Sequence, residues 1–195
     1  SASAAERWMN CAGSVDLAAK QPEGATSFAA AEGTFAHDIA ATHIRSNGVM
    51  AAKDCLGVTG TVYGHAIICD QDMVDGVQLY LDTIAGLKLD VSRVELNITP
   101  ALQQWDRDAG GTADYVTYSL PRKLLRVFDF KYGAGMFVSA DDNKQLKIYA
   151  LGVLLTIKQP IDFVEVYIVQ PRFEGAEPVR KQAFAAFDLM EFAGE

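Results

Sequence analysis

The sequence predicts one mixed α/β domain in which helices flank a central β-sheet. Half of the 195 residues are hydrophobic, which is enough to form one sizeable core. Segments with helical patterning stand on both sides of a central run of strand-like segments, an order typical of mixed α/β domains. We therefore expect a single domain over residues 1–195, either as the whole chain or as a fragment or processed form of a longer one.

Five helices are expected from cap signals and patterning. Ser3-Ala-Ala-Glu6 is a capping box that predicts a first helix ending near Gly13. The others are expected over about 27–46, over 72–87, from a second capping-box-like start at 139–142 to about 157, and after a cap at Asp188. Gly33 lies near the middle of the second helix, where glycine costs about 1 kcal/mol relative to alanine. We therefore expect something to approach the backbone closely there.

Five strands are expected between and after these helices. They cover residues 92–100, 111–120, 124–132, 161–171 and 179–187. Pro121 and Arg122 form a tight turn that joins the second and third of these strands into a hairpin.

Composition excludes several classes of protein. The formal net charge of -8 argues against a general phosphate-binding surface, although residues 121–181 hold ten basic and seven acidic side chains, net +3. Cys11, Cys55 and Cys69 are odd in number, which argues against a disulfide framework and predicts a reducing cytoplasm. No CxxC occurs, which argues against a thiolate metal site. The apolar run 148–157 is about half the length of a membrane span.

The stretch RVFDFKYG, residues 126–133, places two charges in a segment that otherwise resembles a buried strand. Side chains alternate between the faces of a strand, so Asp129 and Lys131 share one face with Val127, and aromatic side chains fill the other. The aromatic face is expected to be core. Two charges on the opposite face either form a pair, for example on an edge strand, or take part in chemistry.

The hairpin gives a geometric reason to favour chemistry. If the turn is centred between Pro121 and Arg122, residues whose numbers sum to 243 lie opposite one another, and Asp114 then faces Asp129 at roughly 5 Å. Two carboxylates held together are more easily explained by a bound divalent cation than by packing. Lys131 could then stabilise charge on a phosphoryl oxygen, or orient and help deprotonate an attacking water.

Three further positions are candidates. Gln145 and Tyr149 are four residues apart on one helix face, with the alternative that Tyr149 is core and Gln145 a solvated neighbour. His37, four residues after Gly33, is a candidate functional residue, with the alternative that it is a structural histidine. Glu32 is either a ligand or a capping partner.

The order of these motifs resembles the PD-(D/E)XK nuclease superfamily, in its RecB-like branch. The motifs are Gly33-xxx-His37, Gly-Thr-Ala-Asp114, Asp129-Phe-Lys131 and Gln145-xxx-Tyr149. Over about residues 1–172, the segments EGTFAH, GGTADYV, VFDFKYGAG, VSADDNKQLKIYALG and IVQPR are similar to a phage-encoded RecB-like family.

The resemblance implies a restriction-endonuclease-like core and assigns roles to the candidates. His37, Asp114, Asp129 and the backbone carbonyl of Phe130 would bind Mg²⁺ or Mn²⁺, and Lys131 would be the catalytic lysine. Gln145 and Tyr149 would position that lysine or contact the DNA backbone. Glu32 would contact the metal ligands and not the metal itself. Members with an iron–sulfur cluster use one amino-terminal and three carboxy-terminal cysteines, so no cluster is expected here.

The function that the resemblance implies is a Mg²⁺- or Mn²⁺-dependent DNA exonuclease that processes DNA ends during phage recombination or replication in the bacterial cytoplasm. Its expected partners are DNA and a phage single-strand-binding or annealing protein, with no membrane. The alternatives are a non-catalytic nucleic-acid-binding or assembly module, which the acidic charge favours, and a hydrolase of small phosphorylated substrates. Candidate phosphate contacts are the basic residues Arg122, Lys123, Arg126, Lys144 and Lys147.

Overall fold

The computed structural model describes residues 26–47, 49–104, 109–133 and 136–193, together with Cys11, Gly13 and Leu17. The helices are α1 (Phe28–Arg45), α2 (Gln71–Leu87), α3 (Thr99–Leu102), α4 (Lys144–Ile157) and α5 (Ala186–Phe192), and a 3-10 turn covers Ala52–Cys55. The strands are β1 (Thr59–Val62), β2 (His65–Ile68), β3 (Val91–Asn97), β4 (Thr112–Ser119), β5 (Leu124–Phe130), β6 (Phe163–Val169) and β7 (Val179–Ala185). The helix predicted from Ser3 lies outside the described residues.

One five-stranded sheet organises the fold, in the order β3-β4-β5-β6-β7. Neighbouring strands are antiparallel except β5 and β6, which run parallel and are connected through α4. A parallel pair needs such a crossover, because a tight turn reverses the chain direction. The predicted mixed α/β fold with a central sheet flanked by helices is confirmed, and this strand arrangement is compatible with a restriction-endonuclease-like core.

Helices cover both faces of the sheet. The core on one face joins α1 and α2 to aromatic side chains of the sheet, among them Phe128 and Phe130. The core on the other face joins α3, α4 and α5 to aliphatic side chains such as Leu125 and Val127. The aromatic face of β5 is core, as predicted. The opposite face is core as well, and β5 is the central strand, so the edge-strand explanation for Asp129 and Lys131 is wrong.

Side-chain caps explain where the longer helices begin. Ser27 Oγ accepts a hydrogen bond from Ala30 N at 3.2 Å, and Asp70 accepts one from Met73 N at 2.9 Å. The start predicted at Ser139 is wrong, because Asn143 caps α4 by accepting a bond from Leu146 N at 3.1 Å. Asp188 lies in the first turn of α5 and is not its cap, since β7 continues to Ala185 and the helix starts at Ala186.

Two local features differ from the sequence expectations. A separate hairpin of β1 and β2 turns at Tyr63 and Gly64, whose φ values of 50° and 82° match a tight hairpin turn that lacks the usual Asn-Gly signal. At Gly33, an added Cβ would meet its nearest neighbour, Gly133 N, at an ordinary 3.9 Å, so the expected close approach to the backbone is not present among the described residues. Within those residues, no helix is long and apolar enough to cross a membrane.

Candidate active site at the end of the central strand

The β4–β5 hairpin has the predicted register. Its five pairs run from Tyr115↔Phe128 to Ser119↔Leu124, and every pair sums to 243. One further step places Asp114 opposite Asp129, immediately beyond the last pair. At this position a side chain, and not the backbone, bonds to β5: Asp114 Oδ2 accepts a hydrogen bond from Phe130 N at 2.8 Å.

His37 reaches this point from α1. Its Nδ1 lies 3.4 Å from Asp114 Oδ1, and its ring centroid lies 5.3 Å from that of Phe130. Burial lowers the pKa of His37, but the charge and hydrogen bond of Asp114, together with the charge of Asp129, outweigh burial and raise it above the ordinary value. The imidazole therefore sits in a strongly negative environment.

Asp129 and Lys131 form an ion pair at the carboxyl end of β5. Lys131 Nζ lies 2.9 Å from Oδ2 and 3.1 Å from Oδ1 of Asp129. Only Oδ1 meets hydrogen-bond geometry, so among the described residues the buried Oδ2 has a nearby charge but no aligned donor. The two side chains are 5% and 28% exposed, respectively, so Asp129 is enclosed while Lys131 remains reachable.

Burial and charge shift both pKa values in this pair. Burial raises the pKa of Asp129, only partly offset by Lys131, and Asp114 raises it further. Burial lowers the pKa of Lys131, but the charge and hydrogen bond of Asp129 outweigh burial and raise it, which favours the ammonium form.

Gln145 and Tyr149 approach from α4 on the other face of the sheet. The Gln145 side chain hydrogen-bonds to Tyr149. Burial and the Asp129 charge raise the pKa of Tyr149 despite Gln145 and Lys131, so the phenol keeps its proton. Tyr149 is part of the core, at 9% exposed, as its structural interpretation predicted, and its functional role stays a prediction. The site therefore combines side chains from all three layers of the fold.

Glu32 has a partner that the sequence did not suggest. Arg172 Nη1 lies 3.2 Å from Glu32 Oε2, and the Arg172 guanidinium lies 5.0 Å from the Tyr132 ring centroid. This contact ties α1, which carries His37, to the segment that follows β6. The structure thus gives Glu32 a role in positioning α1.

Glu95 and Tyr80 were missed by sequence reasoning. They line a small cavity of about 10 Å³ together with His37 and Asp114. Glu95 lies between the pairs Val94↔Tyr115 and Leu96↔Ala113, which places it opposite Asp114. It pairs with Arg45, and its φ is 49°. The buried Tyr80 hydroxyl has no hydrogen-bond partner in the described part of the chain. The register of β3 against β4 is the signal that would have identified Glu95.

Gln170 was also missed and fixes the segment beyond Lys131. It is 2% exposed, its Oε1 accepts a bond from Val138 N at 3.2 Å, and its Nε2 donates to Met136 O at 3.0 Å. The preceding residue, Val169, accepts a bond from Lys131 N at 2.8 Å. A polar residue directly after a buried parallel strand was the available signal, since ligand sites form at that end of such strands.

Most of the residues predicted to contact phosphate form ion pairs with acidic side chains of the protein. Lys123 pairs with Asp162 at 2.9 Å and Arg126 with Glu165 at 2.6 Å. With Arg122 in the turn, these residues lie toward the opposite end of β5, roughly 10 to 20 Å of strand from Asp129. Lys147 pairs with Asp142.

The donor types at the site suit a hard divalent cation, but the described side chains are not arranged as a ready-made metal site. Two carboxylates, an imidazole and a carbonyl oxygen are groups that Mg²⁺ or Mn²⁺ accepts. No group of three or more His, Cys, Asp or Glu side chains is arranged to hold a metal in the part of the chain that the structure describes. Lys131 and Phe130 N engage the carboxylates instead. The metal-ligand roles of His37, Asp114, Asp129 and Phe130 stay a prediction.

Fold and site together define a mixed α/β protein with a His-Asp-Asp-Lys cluster at the end of its central strand. Over residues 1–195, the chain matches the model of the family described as "Protein of unknown function (DUF2800)", and it belongs to that family. A search of solved structures finds no match.

Proposed function

We propose that this protein is a Mg²⁺- or Mn²⁺-dependent deoxyribonuclease of the PD-(D/E)XK type. The observation that carries the proposal is the enclosed Asp129 carboxylate, paired with Lys131 and flanked by Asp114, at the end of a strand whose other residues are apolar except Arg126. Enclosing a carboxylate costs several kcal/mol unless it is compensated. A strand selected for packing alone has no reason to carry that cost.

The chain's own residues divide the chemical work. Asp114 and Asp129, with His37 and the Phe130 carbonyl, would hold the cation. When bound, the cation neutralises charge on the scissile phosphate and lowers the pKa of the attacking water. Lys131 presents an ammonium that stabilises the charge developing on the phosphoryl oxygens.

Supporting contacts keep these groups in place. The Asp114 carboxylate orients the His37 imidazole and at the same time accepts the Phe130 N–H, so one side chain fixes both α1 and β5. The Tyr149 hydroxyl, hydrogen-bonded to Gln145, adds a neutral phenol that is near enough to Lys131 to interact with it electrostatically. Preorganised groups of this kind lower the barrier because they need not reorganise during the reaction.

The proposed substrate is DNA with a free end, processed in phage recombination or replication inside the bacterial cytoplasm, alongside a phage single-strand-binding or annealing protein. The resemblance of the motifs supports this choice. Residues 121–181 are net +3 in a chain of net charge -8, and Lys131, 28% exposed, is the basic group of that segment that lies at the site.

A non-catalytic DNA-binding module is the second candidate. It is favoured by the way Lys131 and Phe130 N already engage the two carboxylates. In that case the charges are a structural pair, and loss of Asp129 should leave DNA binding intact.

The test is incubation of the parent and the Asp129→Asn variant with end-labelled linear DNA and closed circular DNA, in Mg²⁺, Mn²⁺ or EDTA. Metal-dependent loss of the linear substrate alone, absent in the variant, is the expected result and defines an exonuclease. Cutting of the circle would show endonuclease action. Absence of cleavage by folded parent protein in either metal would sink the nuclease proposal and favour the binding module.

A further inference from the structure

An exposed apolar surface lies beyond the site. Met136 is 88% exposed and Phe137 is 45% exposed. The Phe137 ring packs against Phe173 with centroids 5.2 Å apart, and the Arg180 guanidinium lies 4.7 Å from its centroid. We call Met136, Phe137 and Phe173 the aromatic platform.

The backbone of the platform is held in place from beneath. Gln170 bonds to the backbone on both sides of Phe137, through Met136 O and Val138 N. Arg180 Nη2 donates to Val138 O at 2.8 Å and to Gln170 Oε1 at 2.6 Å. Two polar side chains thus restrain the backbone that presents these apolar side chains at the surface. Covering large exposed apolar groups would stabilise the protein, because it removes apolar area from water.

The platform stands next to the Asp129–Lys131 end of the sheet. Gln170 directly follows Val169, and the Val169 carbonyl accepts the backbone N–H of Lys131 at 2.8 Å. The chain from Lys131 to Phe137 spans at most roughly 20 Å. That is about six steps of a DNA strand at 3.4 Å per step, so one short stretch of DNA could contact both.

We propose that the aromatic platform stacks against a base of the DNA strand whose phosphate occupies the site. The inference rests on the proposed function only for the choice of DNA as ligand. Aromatic side chains take any base through its π-face, and basic groups supply the phosphate attraction that usually accompanies such stacking. Here the Arg180 guanidinium lies 4.7 Å from the Phe137 ring centroid, and the partly exposed Lys131 ammonium lies at the adjacent end of β5. This charge complementarity favours a nucleic acid over an apolar protein partner.

The experiment measures fluorescence of 2-aminopurine, whose emission falls when it stacks, in short duplexes labelled at either terminus or internally. The proteins are the parent, Phe137→Ala, Phe137→Trp, Phe137→Leu and the control Phe163→Ala. Phe163 is 60% exposed at the start of β6, the end of that strand away from the site. Binding is measured in EDTA and, on a Lys131→Ala background, in Mg²⁺, so that cleavage does not consume the probe.

The expected result is quenching by the parent, with Phe137→Ala weakening affinity about 5- to 140-fold. Phe137→Trp should retain quenching, Phe137→Leu should lose it, and Phe163→Ala should match the parent. Equal quenching by parent and Phe137→Ala would overturn the proposal, as would the absence of DNA binding by the parent. Quenching without any cleavage in the nuclease assay would instead overturn only the nuclease proposal and leave the platform standing.

Discussion

Replacing Gly111 by alanine should displace the Tyr149 ring. A Cβ at Gly111 would lie 2.9 Å from Tyr149 Cε1 and 3.7 Å from its hydroxyl oxygen. Favourable carbon–carbon contacts begin near 3.5 Å, so the ring or the strand must move by about 0.6 Å or more. Tyr149 is packed in the core, so the movement costs stability, and it also shifts a side chain of the candidate site.

The size of the effect follows from two opposing contributions. Overpacking in a well-packed core costs about 1–3 kcal/mol. Alanine in place of glycine restricts the unfolded chain and stabilises by about 0.4–1 kcal/mol. The net loss is about 0–2.6 kcal/mol, which for a chain of this size lowers Tm by at most about 10 °C.

Thermal and urea unfolding of matched variants would check this. Gly86→Ala is the control, because a Cβ there has no neighbour within 4 Å and should leave stability unchanged or raise it. On a Tyr149→Leu background, Gly111→Ala should cost less than about 0.5 kcal/mol, since the obstructing ring is gone. Equal effects of Gly111→Ala in the parent and on the Tyr149→Leu background would refute the packing of Gly111 against the Tyr149 ring.

Three further predictions concern the pairs around the sheet. A double-mutant cycle of Asp129→Asn and Lys131→Met in urea should give a coupling of about 1–3 kcal/mol, and additive effects would contradict the ion pair. Gln170→Leu removes the partners of Val138 N and Met136 O and should lower the free energy of unfolding by about 1–3 kcal/mol; an unchanged urea midpoint would argue against that network. Burial raises the pKa of Glu165, but hydrogen bonds from Arg126 and other neighbours outweigh burial and lower it below the ordinary value. The carboxylate therefore stabilises the fold above the unfolded pKa of about 4.3, and this contribution disappears as pH falls through the lower folded pKa. The stability gap to Glu165→Gln should be about 1–2 kcal/mol at pH 7 and should narrow as the pH falls below the unfolded pKa. A gap that stayed constant over the acid range in which both proteins remain folded would contradict this expectation.

The parts of the fold that sequence reasoning captured are local. The hairpin register follows from one turn, because a two-residue centre at Pro121 and Arg122 fixes every pair on both strands. The helix start at Ser27 follows from its own cap. In each case, the information lies within a few residues of the feature it determines.

The parts that it missed depend on contacts between distant segments. Whether β5 lies at an edge or in the centre depends on β6, which joins it only after the crossover through α4. The bond between Glu32 and Arg172 links positions 140 residues apart. Glu95 lies opposite Asp114 because of the register between β3 and β4. No tight turn fixes that register, since α3 and other residues lie between the two strands in the chain.

The same distinction applies to the candidate site. Asp114, Asp129 and Lys131 were identifiable because one hairpin places them together. The direct partner of His37, Asp114, is 77 positions away and could be inferred only from the order of motifs in a family that the chain resembles. That Asp129 pairs with Lys131, and that Asp114 accepts a hydrogen bond from Phe130 N, could be seen only in the three-dimensional structure.

The measurement that tests the central claim most directly is Mn²⁺ binding, followed by loss of the free-ion signal in electron paramagnetic resonance. The proteins are the parent, Asp129→Asn and the control Asp162→Asn, whose half-exposed carboxylate pairs with Lys123 at the start of β6. Because Asp129 is a proposed ligand, the account predicts that the parent and Asp162→Asn bind Mn²⁺ alike, and that Asp129→Asn binds at least about 10-fold more weakly. Equal binding by the parent and folded Asp129→Asn, or none by the parent even with DNA present, would contradict the assignment of a metal site to the end of β5.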